Sequence, residues 1–200
     1  TMPEIYWVWG RRAAALHSGS PKGFTVLEGG NLWMNMWREG NADFVHGARE
    51  AVRKEIAGRR SALITLAGLT RSFLGRALES IRAMPADWLW FLRLHPGVAR
   101  QDKAGVVAEV EKTGLKNVRV EQGTDFPLYA LLAEVDLHVT FDSTCAYEGL
   151  AFGKPTVIID PSGRKNYQEL IDRGDMWYSA DSQEFKKAAE LATKTNRHKA

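Results

Sequence analysis

Three small polar residues, Asp142, Ser143 and Thr144, separate an apolar run from a short helical pattern in this chain of 200 residues. All three are good N-cap residues, so one interpretation is that they only begin a helix. The other is that the unpaired N–H groups of the helix start bind an anion, helped by the positive end of the helix dipole. Capping requires no polar residues elsewhere in the chain, whereas an anion site needs further residues that contact the same anion.

Residues that could contact the same anion follow other apolar runs of the chain. They are Gly68 with Arg71, His95 with Pro96, and Gly123 with Thr124. Ligands of an open parallel sheet bind outside the carboxyl ends of its strands, where such residues would meet. Imidazole, guanidinium and hydroxyl groups can hold a phosphate together with backbone N–H groups. The sequence therefore predicts a phosphate site that several strand ends share.

Glu148 supplies a different chemistry four residues after Thr144, on the same face of the predicted helix. Its neighbours are apolar, and an unpaired charge among apolar residues is costly. We predict that this carboxylate accepts hydrogen bonds from a ribose diol while the helix start holds the phosphates. The structural alternatives are a strand-end cap for His95 and a solvated first turn for Arg71.

Other catalytic classes find little support in the residue pattern. Paired histidines or carboxylates at metal-ligand spacing are absent from the sequence, so we expect no bound metal and no cofactor. Ser143 lacks the Gly-x-Ser-x-Gly turn of a hydrolase nucleophile. The single cysteine, Cys145, excludes an intramolecular disulfide and is expected to be an inert thiol on a helix.

The strands and helices that would position these residues alternate from Leu63 onward. Apolar runs predict the strands, and helical spacing predicts the helices between them. The predicted strands cover 62–68, 88–97, 117–122, 136–141 and 155–160, and the predicted helices 71–84, 103–114, 127–135, 144–153 and 182–195. This alternation indicates an α/β fold: a Rossmann-like, doubly wound parallel sheet in a three-layer α/β/α arrangement.

The first part of the chain has a different organisation. Two strand-like runs, 4–10 and 23–31, precede a charged helical pattern in 42–60. We therefore assign residues 1–45 to the end of a preceding domain with its connecting segment, and residues 46–200 to the Rossmann-like domain. The first segment also contains four of the seven tryptophans: Trp7, Trp9, Trp33 and Trp37. They either pack a core or form a surface for a partner.

Composition and charge narrow the class of protein. A hydrophobic content of 44% suits a folded core, and the formal charge of +3 is small and scattered, so we expect no nucleic-acid partner. The sequence contains no apolar run of about 20 residues, the length of a membrane span, and no basic signal-peptide start. The expected location is the cytoplasm, with a peripheral position at the inner face of the membrane as an alternative.

The motifs taken together resemble a known family. The run His95-Pro96-Gly97, the later Asp-Ser-Thr and the segment 147–160 are similar to the nucleotide-binding carboxyl-terminal domain of GT-B fold glycosyltransferases. The likeness is strongest to bacterial capsule, polysialic acid and teichoic acid enzymes. In that family the His-Pro and Ser-Thr motifs contact the phosphates of the donor, and the glutamate of Glu-x4-Gly-x-Pro, here Glu148, contacts its ribose.

The resemblance implies that residues 46–200 bind a nucleotide sugar for a glycosyltransferase. The reaction would transfer a sugar or a polyol phosphate from a donor of the CMP/CDP or UDP type to a polysaccharide or glycolipid acceptor. The catalytic base would belong to a missing amino-terminal domain or partner subunit.

Two other functions remain open. A UDP-N-acetylglucosamine 2-epimerase-like isomerase shares the order of the motifs, but its Asp-Ser-Gly-Gly differs from the Asp-Ser-Thr-Cys of residues 142–145. The second alternative is a non-catalytic nucleotide-binding or assembly module, in which the strand-end residues are structural and the tryptophans dock a partner.

Overall fold

The computed structural model describes residues 5–15, 25–66 and 71–196, except for the side chains of residues 12–13, 71–72, 99–101 and 195–196. The chain divides into two compact units, Thr1–Ala42 and Asp43–Ala200. The boundary that the sequence analysis placed between residues 45 and 46, with a preceding domain on its amino-terminal side, stays a prediction.

The first unit contains a two-stranded parallel sheet and two helices in its described part. They are β1 (Ile5–Val8), α1 (Arg11–Ala15), β2 (Thr25–Glu28) and α2 (Leu32–Glu39). α2 has no counterpart among the helices predicted from the sequence. This helix begins where the Asn31 side chain accepts a hydrogen bond from the Met34 N–H at 3.0 Å, and it ends at Gly40, whose φ of 72° suits a glycine.

The four tryptophans of this unit differ in exposure. Trp7 is 50% exposed, Trp33 56% and Trp9 61%, whereas Trp37 is 3% exposed. The rings of Trp33 and Trp37 meet edge to face with their centroids 6.1 Å apart. The exposed tryptophans favour a surface for a partner, and the partner itself stays a prediction.

The second unit is built on a six-stranded sheet with the strand order β5-β4-β3-β6-β7-β8. Every pairing in this sheet is parallel. Its strands are β3 (Ser61–Thr65), β4 (Leu89–Arg93), β5 (Val118–Arg119), β6 (Leu137–Thr140), β7 (Thr156–Ile158) and β8 (Trp177–Tyr178). The predicted α/β fold with a parallel sheet is confirmed.

Helices cover both faces of the sheet. They are α3 (Asp43–Ile56), α4 (Arg71–Ala83), α5 (Pro96–Lys112), α6 (Val120–Asp125), α7 (Leu128–Glu134), α8 (Cys145–Ala151), α9 (Pro161–Asn166), α10 (Gln168–Asp172) and α11 (Ser182–Asn196). Successive side chains of a strand point to opposite faces. On one face, Val139 of β6 joins an apolar cluster with Leu78 of α4 and Ala189 of α11. On the other face, Gly149 of α8 packs against the ring of His138.

The third predicted strand, 117–122, is wrong beyond its first residues. β5 ends at Arg119, and the chain turns directly into α6. Gly123 of this helix lies against the backbone of β4, because a Cβ at Gly123 would lie 2.8 Å from both the N and the O atom of Leu92. Only a glycine permits this approach. A helix packed closely on β4 thus stands where alternating apolar residues predicted a strand, because strand preference depends on tertiary context.

Other elements extend the prediction or add to it. α5 begins at Pro96 rather than near residue 103, and it is kinked at Asp102, whose φ of −147° and ψ of 28° are not helical. α9, α10 and β8 had no predicted counterpart, because they are too short to show a clear apolar period. Within the described ranges, no helix is both long and apolar enough to cross a membrane.

Candidate functional site

The predicted site residues follow strands that end at the same level of the sheet. Thr65, the last residue of β3, pairs with Arg93 of β4 on one side and with Thr140 of β6 on the other. His95 comes two residues after Arg93, and Ser143 three residues after Thr140. With one strand between them, the ends of β4 and β6 lie about 10 Å apart, which is twice the spacing of neighbouring strands.

His95 forms the N-cap of α5 and is exposed. Its backbone is extended, and its Nδ1 accepts a hydrogen bond from the Gly97 N–H at 3.2 Å. Pro96 occupies the start of the helix, where no backbone N–H is needed. Because Nδ1 is an acceptor, the neutral ring carries its proton on Nε2. His95 therefore caps a helix rather than a strand, and it keeps an N–H group that can donate to a ligand.

Thr124 lies near the end of α6 and contacts the segment that leads to His95. Its Oγ1 accepts a hydrogen bond from the Leu94 N–H at 3.3 Å. The neighbouring turn is held by Arg93, whose Nη1 donates to the carbonyl oxygens of Gly123 (3.0 Å), Thr124 (3.2 Å) and Phe126 (2.7 Å). These are carbonyls at the carboxyl end of a helix, where a cation is favourable. Thr124 thus contacts the segment that precedes His95 although its strand was wrongly predicted, and its role in a phosphate site stays a prediction.

Ser143 and Thr144 have different roles at the start of α8. Ser143 Oγ accepts a hydrogen bond from the Cys145 N–H at 3.3 Å. Thr144 is the N-cap residue by its position, is exposed, and makes no side-chain cap hydrogen bond. The capping interpretation therefore describes Ser143. α8 is a helix of only seven residues, so its dipole alone is a weak argument for an anion site.

His95, Thr124 and Ser143 share one arrangement of hydrogen bonds. Each side chain accepts a hydrogen bond from a backbone N–H, from Gly97, Leu94 and Cys145 respectively. A hydroxyl or a neutral imidazole that accepts in this way still has its own hydrogen to donate. Phosphate oxygens are acceptors, so the cap and the anion contact use different atoms. The two interpretations of the sequence are therefore compatible with each other.

Glu148 is half-buried on α8 and is held by a residue that the sequence analysis missed. The Tyr129 hydroxyl of α7 donates to Glu148 Oε1 at 2.8 Å, and the Tyr129 ring stacks on Phe152 with centroids 5.5 Å apart. Burial lowers the pKa of Arg93, and the negative charge of Glu148 nearby opposes this shift. Neither Arg93 nor Tyr129 carried a local signal in the sequence, because each is defined by a partner at least 19 residues away in the chain.

Cys145 is the first residue of α8 and is half-buried. Burial raises the pKa of its thiol above the ordinary value. A thiol in its protonated form is a poor nucleophile, so Cys145 has the properties of the inert group that the sequence predicted.

Two of the predicted site residues are not placed. Gly68 lies outside the described residues. Arg71 is the first residue of α4, and its side chain lies outside the described part of the chain. Their roles in a phosphate site stay predictions.

The described residues contain no group of three His, Cys, Asp or Glu side chains that could hold one metal ion. The expectation that the chemistry needs no metal and no cofactor stays a prediction.

Comparison with known proteins identifies the fold. No family model and no curated protein matches the chain. The wall teichoic acid polymerase TagF matches at a TM-score of 0.64 and 10% identity, over 98% of this chain and 52% of that one. A TagF variant soaked with CDPG matches at 0.61 and 11% identity, over 98% and 51%. HepE of Anabaena, in complex with UDP and glucose, matches at 0.51 and 13% identity, over 98% and 58%.

These similarities show that the chain has a glycosyltransferase-like α/β fold of the GT-B type, in agreement with the resemblance of its motifs. The chain spans about half the length of the TagF structures that it matches.

Proposed function

We propose that this chain is the donor-binding part of a glycosyltransferase, which transfers a sugar or a polyol phosphate from a nucleotide-activated donor to a surface-polysaccharide or glycolipid acceptor. The observation that carries the proposal is a set of three hydrogen-bond donors at one edge of the sheet: His95 after β4, Thr124 near the end of α6, and Ser143 after β6. In this fold class, that edge is where ligands bind.

The proposed chemistry is stabilisation of the leaving nucleotide. Its phosphates would accept hydrogen bonds from His95 Nε2, from the hydroxyls of Thr124 and Ser143, and from the hydroxyl of the exposed Thr144. Donors fixed in advance by their bonds to the backbone cost little reorganisation when charge develops on the leaving group. The mechanism requires no metal in this form. The catalytic base would come from an amino-terminal domain or a partner subunit.

Glu148 has the complementary role in the proposal. A carboxylate accepts hydrogen bonds and repels phosphate, so it suits the hydroxyls of a ribose. Tyr129 fixes one carboxylate oxygen at 2.8 Å, which limits the orientations that the group can take. The donor would be of the CMP/CDP or UDP type. The similar TagF variant was soaked with CDPG and the similar HepE is in complex with UDP and glucose, and these ligands motivate the choice of nucleotides here.

Calorimetric titration of the full chain with CMP, CDP, UDP and GDP tests the proposal. We expect saturable binding of at least one cytidine or uridine nucleotide without added metal. Absence of saturable binding for all four would refute the proposal and favour the assembly module. Conversion of UDP-N-acetylglucosamine into its 2-epimer would favour the isomerase.

Replacing Glu148 by Gln is expected to weaken a nucleoside and its diphosphate by the same factor, about fivefold to tenfold, because a charge-assisted hydrogen bond is lost in both cases. Cytidine, uridine, CDP and UDP are the ligands to titrate. Glu109→Gln is the matched control, since Glu109 is exposed on α5. A loss confined to the diphosphates would contradict the ribose role.

A further inference from the structure

Asn166, the last residue of α9, and Tyr167, which follows it, contact the turn that begins α8. Asn166 Nδ2 donates to Asp142 Oδ2 at 2.8 Å, and the Tyr167 hydroxyl donates to the Ser143 carbonyl oxygen at 2.7 Å. Neither residue belongs to the motifs that predicted the site. Both bonds join segments 24 residues apart in sequence.

The position of these residues is fixed by close packing of α9. A Cβ at Gly163 would lie 2.0 Å from the Phe141 carbonyl oxygen, so the α9 backbone lies directly against the end of β6. Asp160 is the N-cap residue of α9, and its side chain accepts a hydrogen bond from the Ser162 N–H at 2.8 Å. Asn166 and Tyr167 therefore contact the turn from a helix that is packed closely against the end of β6.

Tyr167 is suited to remain a hydrogen-bond donor. The side chain is buried, with 5% exposure, and the Tyr147 ring meets it edge to face at 5.4 Å. Burial raises the pKa of its hydroxyl, and the negative charge of Asp142 acts in the same direction. The phenol therefore keeps its proton at neutral pH and remains a donor to the Ser143 carbonyl oxygen.

The orientation of the Ser143 carbonyl determines where the neighbouring donors of the site lie. It accepts from the Tyr167 hydroxyl and also from the Ala146 N–H at 2.9 Å, while Ser143 Oγ accepts from the Cys145 N–H. Rotation of the peptide group after Ser143 would change the position of the backbone N–H of Thr144 and of both hydroxyls. The Tyr167 bond opposes that rotation.

We infer that Tyr167 and Asn166 are positioning residues for the phosphate half of the donor site, acting through Ser143 and Asp142 without touching the donor. This inference rests on the proposed function. It predicts that the two residues affect the binding of phosphate groups and leave the binding of the ribose and base unchanged.

The test is a titration of wild type, Tyr167→Phe and Asn166→Ala with cytidine, uridine, CDP and UDP. We expect the two variants to lose about fivefold to tenfold in affinity for the diphosphate that binds the wild type, the effect of one hydrogen bond, and to change less than about twofold for its nucleoside. Tyr129→Phe is the matched control: it removes a tyrosine hydroxyl from Glu148 and is expected to weaken nucleoside and diphosphate alike.

Thermal unfolding of each variant distinguishes a positioning effect on the phosphate site from a general loss of stability. Lowered stability with unchanged diphosphate affinity, or an equal loss for nucleoside and diphosphate, would overturn the inference. If Tyr167→Phe does not fold, Asn166→Ala decides by the same criteria, since Asn166 bonds at an exposed position. Failure of the wild type to bind any diphosphate refutes the proposed function itself, whereas normal wild-type binding with unaffected variants refutes only the positioning role.

Discussion

Replacing His95 by Asp is expected to weaken diphosphate binding by tenfold or more while nucleoside binding changes less than about twofold. The loss corresponds to about 1.5–3 kcal/mol, the contribution of a hydrogen bond to a charged group, and the new carboxylate adds repulsion. The stability of the folded chain should change little, because Asp caps a helix well and can accept the Gly97 N–H in place of Nδ1. Calorimetry with CDP, UDP and their nucleosides measures the effect.

His95→Ala and His46→Ala complete this series. The first removes the cap as well as the donor, so it should also destabilise the protein by about 1 kcal/mol. The second removes an exposed imidazole from α3 and should change neither property. If His95→Asp lowers nucleoside affinity as much as diphosphate affinity, the imidazole shapes the pocket instead of contacting phosphate.

Lowering the pH from 7 to 5 is expected to reduce the free energy of unfolding by about 2 kcal/mol through His138 alone. This side chain is fully buried on β6, with Nε2 3.1 Å from Thr65 Oγ1 and Nδ1 3.4 Å from Thr156 Oγ1. Burial lowers its pKa from 6.5 to about 3. The unfolded chain therefore takes up a proton before the folded chain does. The contribution of His138 is complete above pH 6.5 and decreases as the pH falls toward 3.

Urea unfolding of wild type and His138→Asn at pH 7, 6 and 5 checks this expectation. The variant should be less stable at pH 7, because it loses packing beneath Gly149, but its stability should depend less steeply on pH. His46→Asn is the control and should keep the wild-type slope, since His46 is exposed. Equal slopes for wild type and His138→Asn would show that the buried imidazole is not the source of the pH dependence.

The parts of the molecule that the sequence predicted are those set by local pattern. The apolar runs of β3, β4, β6 and β7 are buried strands, and polar residues placed just after such runs, His95 and Ser143 among them, necessarily lie near the carboxyl edge of a parallel sheet. Glu148 could be recognised as a carboxylate that needs a hydrogen-bond partner, because it interrupts the apolar pattern of a helix.

The parts that the sequence did not predict depend on contacts between distant segments. The helix at 120–125 packs with Gly123 directly against the Leu92 backbone, and no pattern within 117–125 encodes that partner. Arg93 stabilises carbonyl groups about thirty residues away, and Tyr167 bonds to the Ser143 carbonyl 24 residues before it. Such residues carry no local signature, because their function is defined by the backbone atom that they reach.

The use of one side-chain atom for a backbone N–H and another for the ligand has a consequence for mutational scanning. At His95 and Ser143, a measurement of protein abundance should tolerate Asp, whose oxygens still satisfy the Gly97 and Cys145 N–H groups. A measurement of the proposed transfer activity should reject the same substitutions, because an acceptor has replaced a donor. At such positions Asp should preserve abundance but abolish activity, whereas Ala should lower both. This pattern would identify the edge of the sheet that carries the hydrogen-bond donors, without any bound ligand.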